Sequence, residues 1–183
     1  MAKKLETPLK EKDLVELEAG EAVELSGVVY TARDAAHERL IDLLEKGEEL
    51  PINAEGGVIY YVGPAPAKPG YVIGPAGPTT SGRMDPYTPP LLEAGLKGMI
   101  GKGSRSPEIR EELKKHNAVY FGAVGGAAAL ISSSIKASEV IAYEDLGTEA
   151  IRRLEVKDFP LMVVNDTQGR DLYEQGREKY GIS

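Results

Sequence analysis

Hydrophobic and polar positions along the chain switch between strand-like and helix-like spacing. Residues 21–30 read as a strand, and residues 11–17 as a strand or a docking arm. Ala36, Leu40, Leu43 and Leu44 then recur at helical intervals. Thr31 and Asp34 fit the N-cap and N3 positions of a capping box ahead of them, and Gly47 supplies a C-terminal stop. Arg33 therefore falls in the first turn of a helix that follows a strand. Two β-rich islands, residues 58–62 and 71–73, lie in a stretch where 12 of the 27 residues from Gly56 to Gly82 are Gly or Pro. They read as short strands joined by stiff turns.

Farther along, strands at residues 97–100, 118–121, 140–143 and 161–166 alternate with helices at 106–116, 125–134 and 147–154. Ser106 is the N-cap and Pro107 the first residue of one of these helices, and Lys114, Lys115 and His116 fill its last turn, as the helix dipole prefers. The alternation predicts an α/β fold of layered sheets with a largely parallel C-terminal part. The β-rich N-terminal part is expected to add a second sheet layer. Residues 170–183 are polar and read as a terminal helix or tail.

Composition narrows the chemistry. A length of 183 residues suits one domain over residues 1–183, with 1–10 and 170–183 expected at its periphery. There is no cysteine, which removes thiol nucleophiles, disulfides and cysteine-held metal from this chain. A formal net charge of -7 argues against a nucleic-acid surface, because phosphate binding draws on clustered Lys and Arg. No apolar run is long enough to suggest a membrane span, and the start lacks the apolar segment of a signal peptide. The expectation is a soluble cytoplasmic protein.

Few motifs stand out singly. Gly101, Lys102 and Gly103 look like part of a phosphate loop, but position 96 is Leu and Gly103 replaces the required Ser or Thr. The most informative stretch is residues 77–85, GPTTSGRMD, where three consecutive hydroxyls lie between glycines and Arg83 follows. Such a loop brings donors close to a small carboxylate, or it is a turn whose hydroxyls cap the segments after it. By themselves, Arg33 reads as a surface ion-pair partner and Lys102 as a solvated lysine. His37, with Glu38 and Arg39 beside it, reads as partner or scaffold rather than base, and His116 as a helix C-terminal cation. Residues 125–129 suit close helix packing, and Asp166 is either functional or a turn cap. No His, Asp or Glu cluster has metal-ligand spacing.

Taken together, four blocks carry a resemblance. GVVYTARDAAHER at residues 27–39, GPTTSGRMD at 77–85, GKGSRS at 101–106 and AVYFGAVGGAAAL at 118–130 occur in the order found in class I fumarases. EDLGTEAIRRLEVKDFPLMVVNDTQG at residues 144–169 matches as well. The chain resembles the C-terminal domain, or separate β subunit, of the iron–sulfur-dependent fumarase and L-tartrate dehydratase family. The resemblance implies a swivelling β/β/α domain and the reversible hydration of fumarate to (S)-malate. It implies that Arg33, Arg83 and Lys102 bind substrate, that Thr79 exchanges the C3 proton, and that Thr80 is its active-site neighbour. It also implies a [4Fe-4S] cluster on a cysteine-containing α subunit, and hence a hetero-oligomer with a homodimeric core. L-tartrate dehydratase is the nearest alternative within the family. A non-catalytic binding or assembly module is the alternative from another class, since fold alone does not decide function.

Overall fold

The computed structural model describes residues 1–123 and 128–181. Its strands are β1 (Lys3–Glu6), β2 (Ala22–Thr31), β3 (Val58–Tyr60), β4 (Gly98–Gly101), β5 (Val119–Ala123), β6 (Ile135–Ala142) and β7 (Ile151–Asn165). They form a single sheet in the order β1-β2-β3-β4-β5-β7-β6, and a further pairing of β2 with β7 closes the middle of that sheet on itself. β1 to β5 pair in parallel, whereas β7 runs antiparallel to β2, β5 and β6.

The α/β class agrees with the pattern reading, but two details differ. The parallel strands lie in the first two thirds of the chain, and the C-terminal strands are the antiparallel ones. The N-terminal strands also belong to this same sheet rather than to a second layer. Residues 1–10, expected at the periphery, contribute the edge strand β1 and two buried leucines, Leu5 and Leu9.

The helices are α1 (Glu11–Leu14), α2 (Asp34–Glu45), α3 (Thr88–Glu93), α4 (Pro107–Lys115), α5 (Ala128–Ser134) and α6 (Leu172–Tyr180). Residues 125–127, expected to begin the fifth helix, lie outside the described residues. α2, α3 and α4 are the crossovers joining β2 to β3, β3 to β4 and β4 to β5, as parallel pairing requires. Successive strand residues face opposite ways, which splits the core in two. Val29, Val58, Tyr60, Ile100, Phe121 and Phe159 pack into the cluster that the closed sheet encloses. Ile59, Tyr61, Met99 and Tyr120 face outward and meet Leu40 of α2, Leu91 of α3 and Leu113 of α4.

This two-sided burial explains the largest departure from the pattern reading. Residues 147–154 form no helix: a 3-10 helix ends at Glu149 and β7 begins at Ile151. Ile151 and Leu154 are three residues apart. They sit on opposite faces of one strand, and both faces are covered there. Residues 11–17 are the short helix α1 and its exit, with Leu14 and Leu17 buried in the enclosed core. Residues 71–73 form no strand, and Tyr71 and Val72 are exposed. No described helix is long and apolar enough to cross a membrane.

Phe159 is fully buried where β7 meets β2, its ring edge-to-face with Tyr60 at 5.5 Å. Phe159→Ala should cost about 3–5 kcal/mol of stability in urea denaturation, the usual range for removing a buried Phe. A loss under about 1 kcal/mol would mean that the enclosed core does not depend on this closure.

Candidate functional site

The parallel strands β2 to β5 end along one edge of the sheet, and ligands of parallel α/β sheets, open or closed, bind outside such carboxyl ends. Four of the five residues singled out in the sequence leave that edge directly. Arg33 follows β2, Thr79 and Thr80 sit beside the exit of β3, and Lys102 follows β4. Arg83 lies on the 3-10 helix Ser81–Tyr87 that begins next to them.

Backbone hydrogen bonds hold residues 79–81 as an extended strip between the diverging ends of β3 and β4. Thr79 N donates to Tyr61 O at 2.7 Å, Lys102 N donates to Thr79 O at 3.2 Å, and Ser81 N donates to Lys102 O at 2.9 Å. Gly101 lets the strip approach, because a Cβ at that position would lie 1.9 Å from Ser81 Oγ. Ser81 Oγ is 2.7 Å from Tyr120 OH, whose single proton donates to Gly103 O at 2.8 Å, so Ser81 is the donor of the first bond. Thr79 is half-buried and Thr80 exposed. Neither hydroxyl is spent on a hydrogen bond among the described residues.

Thr31 is not the N-cap that the capping-box spacing suggested. It is the last residue of β2, paired with Tyr60, and its buried hydroxyl accepts from Arg152 N at 3.0 Å. α2 starts two positions later than expected, with Arg33 at the N-cap and no side-chain cap. Arg33 is half-buried, its side chain crosses Gly63, and its Nε is buried without a partner among the described residues. A cation at a helix N-terminus meets the unfavourable end of the dipole, so an anion there relieves both.

Arg83 lies 3.4 Å from Asp34, an exposed pair of small energetic value. Arg33 and Lys102 form no ion pair among the described residues. A chain with an overall charge of -7 thus carries uncompensated positive charge at the ends of its parallel strands.

One residue that pattern reading passed over is Arg105, buried behind this edge and paired with Asp85 at 2.6 Å. Its signal was its position inside GKGSRS, three residues after Lys102. Burial works against its charge, but Tyr61 and Asp85 outweigh burial and raise its pKa.

His37 is scaffold, as its neighbours suggested. Its Nδ1 lies 2.7 Å from Arg33 O, which can only accept, so Nδ1 carries the ring proton. The ring packs edge-on against Tyr61 at 5.5 Å. Asp166 is a turn cap: its buried carboxylate accepts from the backbone of Ala19, Gln168 and Arg170.

The Fumarase C-terminus family model matches residues 2–176. The chain belongs to that family. It is 39% identical over 175 residues to the aerobic class I fumarate hydratase of Escherichia coli, covering 93% of this chain and 32% of that protein. It is also 39% identical over 166 residues to fumarate hydratase 2 of Leishmania major, covering 90% of this chain and 29% of that one. A third relative, the putative L(+)-tartrate dehydratase subunit beta of Methanocaldococcus jannaschii, is 36% identical, with 93% of this chain and 91% of the relative covered. The chain thus spans about a third of the length of the fumarate hydratases and nearly all of the beta subunit.

Burial drives the His37 pKa down to about 4 from its ordinary 6.5. The unfolded chain therefore binds more protons between these two values, so stability is full above about 6.5 and falls as pH drops toward 4. The loss attributable to this ring is about 3 kcal/mol. His37→Gln should flatten that part of the pH–stability curve measured by urea denaturation, and an unchanged slope would mean that the ring is not buried neutral.

Proposed function

We propose that this chain is the β subunit of a heteromeric class I fumarate hydratase, catalysing the reversible hydration of fumarate to (S)-malate together with a cysteine-bearing α subunit. The observation that carries this reading is the pair of cations, Arg33 and Lys102, left without carboxylate partners among the described residues at the carboxyl ends of β2 and β4. Arg83 lies on the 3-10 helix that begins beside the same edge. A dicarboxylate needs positive charge at both ends, and each charge-assisted hydrogen bond contributes about 1.5–3 kcal/mol.

In this reading Arg33, Arg83 and Lys102 hold the two carboxylates. They also stabilise the charge that grows on the substrate as the C3 proton leaves. Thr79 exchanges that proton, with Thr80 beside it, and the nearby cations favour its alkoxide. The strip that carries both hydroxyls is fixed by backbone bonds, so they reach the substrate already oriented.

A [4Fe-4S] cluster on three cysteines does not fit this chain, which has none. Among the described residues, no group of three or more His, Asp and Glu is placed to hold a metal. The cluster belongs on the partner in this proposal, and the roles assigned here are those of the chain's own side chains. The length match to a tartrate dehydratase beta subunit favours a second reading, the β subunit of an L-tartrate dehydratase.

Anaerobic co-expression with a cysteine-rich α subunit should give a complex that hydrates fumarate, while this chain alone is inactive. Within the complex, Thr79→Val should lower kcat by about 10²–10⁴, and Arg83→Ala should mainly raise KM. Turnover of L-tartrate but not fumarate would select the second reading. Fumarate hydration by the isolated chain, or wild-type turnover in Thr79→Val, would contradict the assignment.

A further inference from the structure

We propose that Arg105, anchored by Asp85, is a positioning residue that sets the distance between the loops carrying Arg83 and Lys102. This proposal rests on the reading of those two cations as substrate-binding groups. Asp85 lies two residues beyond Arg83, and Arg105 three residues beyond Lys102.

The Arg105 side chain is fully buried and each of its nitrogens has a partner. Nε donates to Asp85 Oδ1 at 2.6 Å, Nη2 to Thr88 Oγ1 at 2.7 Å and Nη1 to Tyr61 OH at 3.3 Å. The guanidinium lies 5.4 Å from the Tyr61 ring centre and 5.0 Å from that of Tyr120. The other carboxylate oxygen of Asp85 accepts from Ser106 N at 3.0 Å. One carboxylate thus grips the end of the Lys102 loop twice, through a side chain and through the backbone.

The two loops are therefore clamped at two points. Near the strand ends, Ser81 N donates to Lys102 O; at the far ends, Asp85 binds Arg105 and Ser106. Arg83 and Lys102 are exposed; Arg83 lies between the clamps, and the backbone of Lys102 is part of the first one. Long flexible cations gain little from exposed pairs, so their geometry at a ligand depends on how firmly their backbones are held. Lysine cannot replace Arg105, because one ammonium cannot span a carboxylate, a threonine hydroxyl and a phenol in a fixed plane. Asparagine at position 85 offers one oxygen where two donors converge, so one end of the clamp is lost.

Two measurements on Asp85→Asn separate positioning from plain stabilisation. Hydrogen exchange of the folded chain should show the Ser81, Lys102 and Ser106 amides exchanging at least about tenfold faster, with β4 and β5 amides unchanged. In the assembled enzyme, KM for fumarate should rise about tenfold or more with a smaller change in kcat. Leu17→Ala, destabilised in the enclosed core, should keep the wild-type KM. Arg105→Lys should behave as Asp85→Asn does. Uniform acceleration of all amides, an unchanged KM, or full rescue by lysine would overturn the proposal. If the wild-type assembly hydrates neither fumarate nor L-tartrate, the functional reading fails on its own, and the exchange data still decide whether the clamp holds the two loops.

Discussion

The site depends on a backbone contact, the hydrogen bonding of residues 79–81 between Tyr61 and Lys102. Parallel strands diverge at their carboxyl ends and leave peptide groups unpaired, and unpaired buried groups are costly. The returning strip satisfies them, and in doing so it delivers two threonine hydroxyls to the edge where Arg33 and Lys102 emerge. Gly101 is part of the same constraint, since a side chain there would occupy the place of Ser81 Oγ. The closure of the sheet through β2 and β7 keeps the strand ends in register, because β2 supplies Arg33 and is paired on both sides.

Electrostatics divides into two regimes at this edge. Arg105 is buried, bonded through every nitrogen, and its charge is stabilised by the groups around it. Truncating one partner of a buried charge pair is far more damaging than its net contribution suggests. Arg33, Arg83 and Lys102 are instead solvated to different degrees; Arg83 has only its exposed pair with Asp34, and the other two form no ion pair among the described residues. Their positive field is local, and the acidic surface elsewhere sets the overall charge of -7. One cation thus shapes the loops, and three are left available for a ligand.

Much of this was legible in the sequence where local rules act alone. Ser106 as N-cap and Pro107 as first residue of α4 follow from hydrogen bonding within a single turn. The residues gathered at the strand ends were found through short ordered motifs, and topology then placed them on one edge. Tertiary context hid the rest. Thr31 carries the signature of a cap, yet its hydroxyl is taken by Arg152 in β7 and by Ala150 just before it, far away in sequence. The start of β7 looked helical because both faces of that strand are covered. Arg105 drew no attention because only the fold shows that it is buried against Asp85, twenty residues earlier.

The chain belongs to the Fumarase C-terminus family, and the function proposed for it divides the site between two chains. In that account this chain supplies cations and hydroxyls, and a cysteine-bearing partner supplies the iron–sulfur chemistry. The most direct test is an anaerobic crystal structure of the assembled complex with (S)-malate bound. The account expects the malate carboxylates within hydrogen-bonding distance of Arg33, Arg83 and Lys102, with C3 beside Thr79. Malate bound away from this edge, with those three side chains turned to solvent, would contradict it.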